Sequence, residues 1–112
     1  MIKQIFFNLA VKDLNKSVEF FTKLGFKFNP EFTDQNAACL IVSKNVFSML
    51  ITENLFKSFT KKQICDTNTS IEGLFALQVG TRKKVDDLVK KAVESGAKTL
   101  EREFKDRKKK KR

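Results

Sequence analysis

Ile2 to Val11 carries the apolar density of a central strand, with Ile5, Phe7, Leu9 and Val11 on one face and Phe6, Asn8 and Ala10 on the other. The period then changes. Leu14, Val18, Phe21 and Leu24 recur at helical spacing, Asp13 or Asn15 supplies an N-cap oxygen, and Gly25 marks the stop. Phe26 to Thr33 reads as a second strand in which Pro30 suits an edge or irregular position. Asp34-Gln-Asn36 turns the chain into a strand over Ala37–Ser43, and Lys44-Asn45 turns it into another over Val46–Glu53. The pattern up to Glu53 therefore predicts a β-α-β-β-β unit.

Beyond it, Asn54–Phe59 predicts one helical turn, and Thr60–Ser70 is polar and loop-like. Gly73-Leu-Phe-Ala-Leu-Gln-Val79 reads as a strand and Thr81 as an N-cap. Val85, Leu88, Val89, Ala92 and Val93 then follow the i, i+3, i+4, i+7, i+8 spacing of an amphipathic helix that ends at Gly96. Ala97–Phe104 predicts one further strand. Leu9-Ala-Val11 with its helix and Leu77-Gln-Val79 with its helix lie 68 positions apart, which points to a duplicated module. The second copy is short. Sixteen residues follow Gly96 and the last six are all basic, so two strands that the repeat predicts are missing. A partner, an open sheet or a frameshifted gene end would each account for them, since unpaired edges promote association. The expected organisation is a first βαβββ module over 1–59, a linker over 60–72, a second, incomplete βαβ module over 73–104 and a basic, solvated tail over 105–112.

Composition narrows the chemistry. Twelve Phe occur with no Trp or Tyr, so the aromatic residues carry buried area without a polar handle. Cys39 and Cys65 lack metal-site spacing and read as free thiols in a reducing cytoplasm. No apolar run has the length to span a bilayer and no signal-peptide pattern opens the chain, so no membrane partner is expected and the predicted location is cytoplasmic. Of the net charge of +10, half falls in residues 101–112, which hold eight Lys or Arg against three acids. A like-charged block is first a solvated terminus. Salt-sensitive nucleic-acid association through that tail is an alternative function, but no nucleic-acid-binding motif accompanies it.

The strand-turn-helix Leu9-Ala-Val-Lys-Asp-Leu with Phe20-Phe21-Thr22 and Leu24-Gly25-Phe26 resembles the opening βα unit of the vicinal-oxygen-chelate superfamily. That superfamily includes glyoxalase I, bleomycin-resistance proteins and extradiol dioxygenases. Ala76-Leu-Gln-Val79 and the helix after it resemble the second βα unit. The resemblance implies an α+β fold of paired β-α-β-β-β modules forming a cupped mixed sheet, here with the second module incomplete. It also implies a homodimer, because family members commonly pair modules across subunits.

The family's enzymes generally hold a divalent metal through His, Glu or Gln. By position, the resemblance puts the first-strand ligand at Phe6, the fourth-strand ligand near Leu50 and the fifth-strand ligand at Leu74. A phenyl ring and two isobutyl groups have no lone pair to offer, and the chain contains no histidine at all. The same absence removes Ser-His-Asp and Cys-His arrangements, and the four glycines form no phosphate loop. No catalytic residue, metal or cofactor is therefore expected. A small-molecule cup remains, lined by Phe6, Asn8, Ser48, Leu50, Leu74 and Gln78, mostly apolar with a few orienting amides and hydroxyls. Small-molecule binding is the leading expectation, with a degenerate or metal-independent lyase-type enzyme as the alternative. Antibiotic sequestration is a further class, although a +10 protein repels a cationic drug.

Overall fold

The computed structural model describes residues 1–98. Two compact units are present, Met1–Gln78 and a second that begins at Val79. The first contains a four-stranded mixed sheet in the order β1-β4-β3-β2, with strands β1 (Ile5–Val11), β2 (Lys27–Asn29), β3 (Ala37–Ser43) and β4 (Val46–Thr52). β1 runs parallel to β4, whereas β3 is antiparallel to both β4 and β2. The fold is α+β, with the β-α-β-β-β module expected from the sequence.

Local chemistry sets the boundaries. Helix α1 (Leu14–Lys23) starts at Asp13, whose side chain accepts from the Lys16 backbone N–H at 3.1 Å. It ends at Leu24, and Gly25 follows with φ of +97°, a left-handed conformation that only glycine adopts without cost. The second strand is shorter than Phe26–Thr33. Asn29 Oδ1 accepts from the Glu31 N–H at 3.0 Å and Pro30 opens a 3-10 turn over Pro30–Phe32, which ends the ladder after three residues. Asp34 Oδ1 holds the next turn by accepting from Asn36 and Ala37. Thr52 caps the short helix α2 (Glu53–Lys57), one residue earlier than the pattern predicts.

The core lies between α1 and one face of the sheet. Leu14, Val18 and Phe21 of the helix meet Leu9, Val11, Phe28, Ala38 and Leu50. Amphipathic spacing on α1 thus finds the odd-numbered positions of β1 and the even-numbered positions of the other three strands.

Gly73–Val79 forms no strand among the described residues, although its sequence predicts one. A strand exists only through a ladder partner, and this stretch pairs with none there. It is nevertheless in contact with the sheet, because Phe75 packs its ring against Phe7 at 5.4 Å. The unit boundary places Gly73–Gln78 with the sheet rather than with the helix that follows.

In the second unit, α3 (Arg82–Glu94) begins at Thr81, whose hydroxyl accepts from the Lys84 N–H at 3.2 Å, and is followed by Gly96 with φ of +113°. Both boundaries match the sequence pattern. Val85, Val89 and Val93 along its apolar stripe are exposed. Ala97 and Lys98 belong to no strand, and the rest of the expected strand to Phe104 lies outside the described residues, as does the tail over 105–112. Among the described residues no helix is long and apolar enough to cross a membrane.

Candidate ligand face of the sheet

Strand register decides which residues form a site. On β1 and β4 the directly opposed pairs are Phe6 with Phe47, Phe7 with Ser48, Asn8 with Met49, and Leu9 with Leu50. Opposed residues project to the same face. Phe6, Asn8 and Ala10 therefore share the face turned away from α1 with Phe47, Met49 and Ile51. The β3 register adds Ala37, Cys39 and Ile41 to it, and the β2 register adds Lys27 and Asn29.

This corrects the expected cup. Ser48 and Leu50 do not join Phe6 and Asn8; they lie on the helix-covered face. Leu50 is 2% exposed and packs with Leu14 and Ala38, so it is core. Ser48 is 6% exposed, beside Phe7 and Leu40, and its hydroxyl has no hydrogen-bond partner among the described residues. The physical reason is the parallel β1–β4 register. It sets Leu50 beside Leu9, and Leu9 faces α1. Leu74 and Gln78 are both exposed in a segment without a ladder, Leu74 at 87%. Of the six expected residues the fold brings together only Phe6 and Asn8. Phe47 and Met49 are the partners that sequence reasoning missed. The alternation of β4 points the other way, because Phe47, Met49 and Ile51 are all apolar while Ser48 and Thr52 sit among the helix-facing positions; alignment against β1 supplies the parity.

The face has a definite chemistry. The rings of Phe6 and Phe47 stack with centroids 4.8 Å apart and planes 15° from parallel. Phe6 is 41% exposed, Asn8 is exposed, and Phe47, Met49 and Ile41 are half-buried. Cys39 is fully buried, and that burial pushes its thiol above the ordinary value of 9.0, keeping it protonated. On β1, β3 and β4 this face carries no acidic or basic side chain other than that thiol; on β2 it carries Lys27.

A catalytic divalent metal does not fit these residues. Phe6, Asn8, Met49 and Cys39 bring a phenyl ring, a carboxamide, a thioether and a protonated thiol to this face, and such a set is a poor match for a hard or borderline cation. Among the described residues no three His, Cys, Asp or Glu side chains converge. A separate cleft of about 310 Å3 lies within the second unit, lined by Val79, Lys84, Asp87, Leu88 and Lys91, and contains none of the ligand-face residues.

The mixed β1-β4-β3-β2 sheet with α1 on one face is that of a vicinal-oxygen-chelate protein. Residues 3–43, from before β1 into the end of β3, match the family described as bleomycin resistance protein-like N-terminal. The solved structure of hypothetical protein SA1046 from S. aureus is similar, at 35% sequence identity and a TM-score of 0.69, over 86% of this chain and 72% of that one. The chain belongs to this bleomycin-resistance-protein-like family. No curated protein matches it.

Proposed function

We propose that this protein binds a small organic molecule on the sheet face formed by Phe6, Asn8, Phe47 and Met49, without a metal ion. One observation carries the proposal: Phe6, where the resemblance places the family's first metal ligand, stacks on Phe47 and keeps 41% of its surface exposed. An apolar surface with an adjacent carboxamide supplies contact area and orientation, which is what a binding site needs. It supplies neither a nucleophile nor an acid-base pair, so binding rather than turnover is the function it supports. The net charge of +10 opposes cationic ligands.

β1 is an edge strand, and among the described residues no strand pairs with its outer side. A second copy of the chain covers that edge in our reading, giving a homodimer whose two ligand faces lie near the join. Sedimentation equilibrium tests this, and a monomer at high concentration counts against it.

The test of the binding function is a thermal-shift screen of small organic compounds in the presence of EDTA. A compound that raises the melting temperature equally with and without chelator supports metal-free binding. Stabilisation that disappears in EDTA and returns with a divalent cation would refute it.

A further inference from the structure

We infer that the ligand is a small organic anion that lies across the sheet, its apolar body on Phe6, Phe47 and Ile41 and its carboxylate toward Lys27. The inference rests on the binding function proposed above and names the ligand class. Three observations carry it. First, the strand registers align one row of residues across all four strands. Phe6 opposes Phe47, Phe47 opposes Ile41, and Ile41 opposes Lys27. All four project to the face turned away from α1. The row is therefore apolar over β1, β4 and β3 and ends on an ammonium group at β2. Its ends are three strand spacings apart, roughly 14 Å. The flexible lysine stem lets the charge reach inward without engaging the β2 backbone.

Second, this is the open end of the face. Phe47 and Ile41 are half-buried on the interior strands β4 and β3, which have a paired neighbour on each side, so their exposed area opens on the face itself. Farther along the same face Cys39 is 0% and Ile51 4% exposed. A second copy paired with the β1 edge extends the sheet and leaves this register unchanged.

Third, the charge on the face has one sign. Among the described residues Lys27 is the one charged side chain that β1, β2, β3 and β4 present there, since the Cys39 thiol stays protonated. Residues 1–12, 20–30 and 35–52, which include all four strands, hold no Asp or Glu. The ion pair found among the described residues joins Lys23 to Glu19, which leaves Lys27 without a carboxylate partner there. A ligand carboxylate thus meets a partner at the end of the row, whereas a ligand cation meets none.

The experiment compares three probes with one apolar body on the full 112-residue chain: 4-(2-naphthyl)butanoate, its neutral primary amide, and the cationic 4-(2-naphthyl)butylamine. The chain has no Trp or Tyr, so naphthyl fluorescence anisotropy is read without protein background. The acid should bind about three- to fivefold more tightly than the amide, the worth of an exposed ion pair, and the amine more weakly than either. Added salt should erase the preference for the acid. Lys27→Met should bring acid and amide to equal affinity, and Lys27→Arg should restore the difference. Lys90→Met makes the same change in net charge on α3 and should leave the ratio unaltered. Far-UV circular dichroism of each variant checks the fold. In the wild-type protein, backbone amide shifts should fall at 6–8, 41 and 47–49.

Equal binding of acid and amide to the wild-type chain, or a Lys27→Met ratio that keeps the preference, would overturn the anion inference and leave small-molecule binding standing. So would amide shifts at 84–91 in place of those on the sheet. If none of the three probes binds, the inference fails; a stabilising compound in the metal-free screen then preserves the binding function, and a screen without one removes that function too.

Discussion

Replacing Leu50 by Ala separates a core position from a ligand position, and the structure gives the size of the effect. Leu50 is 2% exposed and lies among Leu14 and Ala38, with Leu9 opposite it on β1. Burying a leucine side chain is worth about 1.5–3 kcal/mol in transfer alone. The void left between α1 and a paired sheet raises the cost of removing it to about 3 kcal/mol, within the usual range for core Leu→Ala changes. For a unit of this size each kcal/mol moves the melting temperature by about 4–8 °C. Leu50→Ala should therefore melt well over ten degrees lower, by an estimate of about 12–24 °C from the same scaling. Phe6→Leu, at a side chain 41% exposed, should cost about 1 kcal/mol or less. Urea unfolding followed by circular dichroism measures both, with the slope unchanged if only the native state is affected. A loss at Leu50 no larger than that at Phe6 would refute the face assignment. So would a Leu50→Ala protein that keeps its stability and loses ligand.

Ser48→Ala should be neutral or stabilising by about 1 kcal/mol, because the buried hydroxyl it removes has no partner among the described residues. A clear fall in urea midpoint would instead reveal a bond that this hydroxyl makes. Gly25→Ala should destabilise by about 1–2 kcal/mol, a purely backbone cost at φ of +97°, since an added Cβ meets nothing within 4 Å. For Cys39, whose thiol burial holds above 9.0, the folded state keeps a proton that the unfolded chain releases as pH rises past that value. Its contribution to stability is then complete below 9.0 and declines above it, by at most about 1.4 kcal/mol per pH unit. Comparing urea midpoints of the wild type and Cys39→Ala across that range checks the sign. A thiol-reactive reagent on the native protein should modify the half-buried Cys65 well before the buried Cys39.

Elements governed by local chemistry were legible in the sequence. Asp13, Thr81, Gly25 and Gly96 fixed helix ends, and the 3.6-residue period of α1 and α3 fixed their spans. The long strands β1, β3 and β4 were legible from apolar density. What depends on pairing was not. β4 reads Val-Phe-Ser-Met-Leu-Ile-Thr, with its hydroxyls Ser48 and Thr52 on the side that meets α1, so its own pattern misleads about which side that is. Its parity comes from the parallel register with β1, a contact between segments far apart in sequence. An irregularity between Ile41 and Ser43 also shifts β3 against β4, so counting back from the Lys44-Asn45 turn misplaces every partner beyond it. Through the β1 register Ser48 and Leu50 fall on the helix-covered face, and Phe47 and Met49 join Phe6 and Asn8. Gly73–Val79 shows the same limit in another form. Its composition suits a strand, but a ladder needs a second chain segment at its side.

The join between β1 and β4 also has a consequence for how the sheet assembles and breathes. β3 and β4 are linked by a two-residue turn and meet early, whereas Ile5 must find Val46 across about forty residues of intervening chain. The β1–β4 join is thus the pairing of longest range in this sheet, and β1, like β2, is an edge strand open to local fluctuations. Phe6 and Asn8 are carried on it. A molecule that grips them tightens this long-range seam, so occupancy should slow amide hydrogen exchange along β1 while leaving the β2–β3 ladder at its own pace.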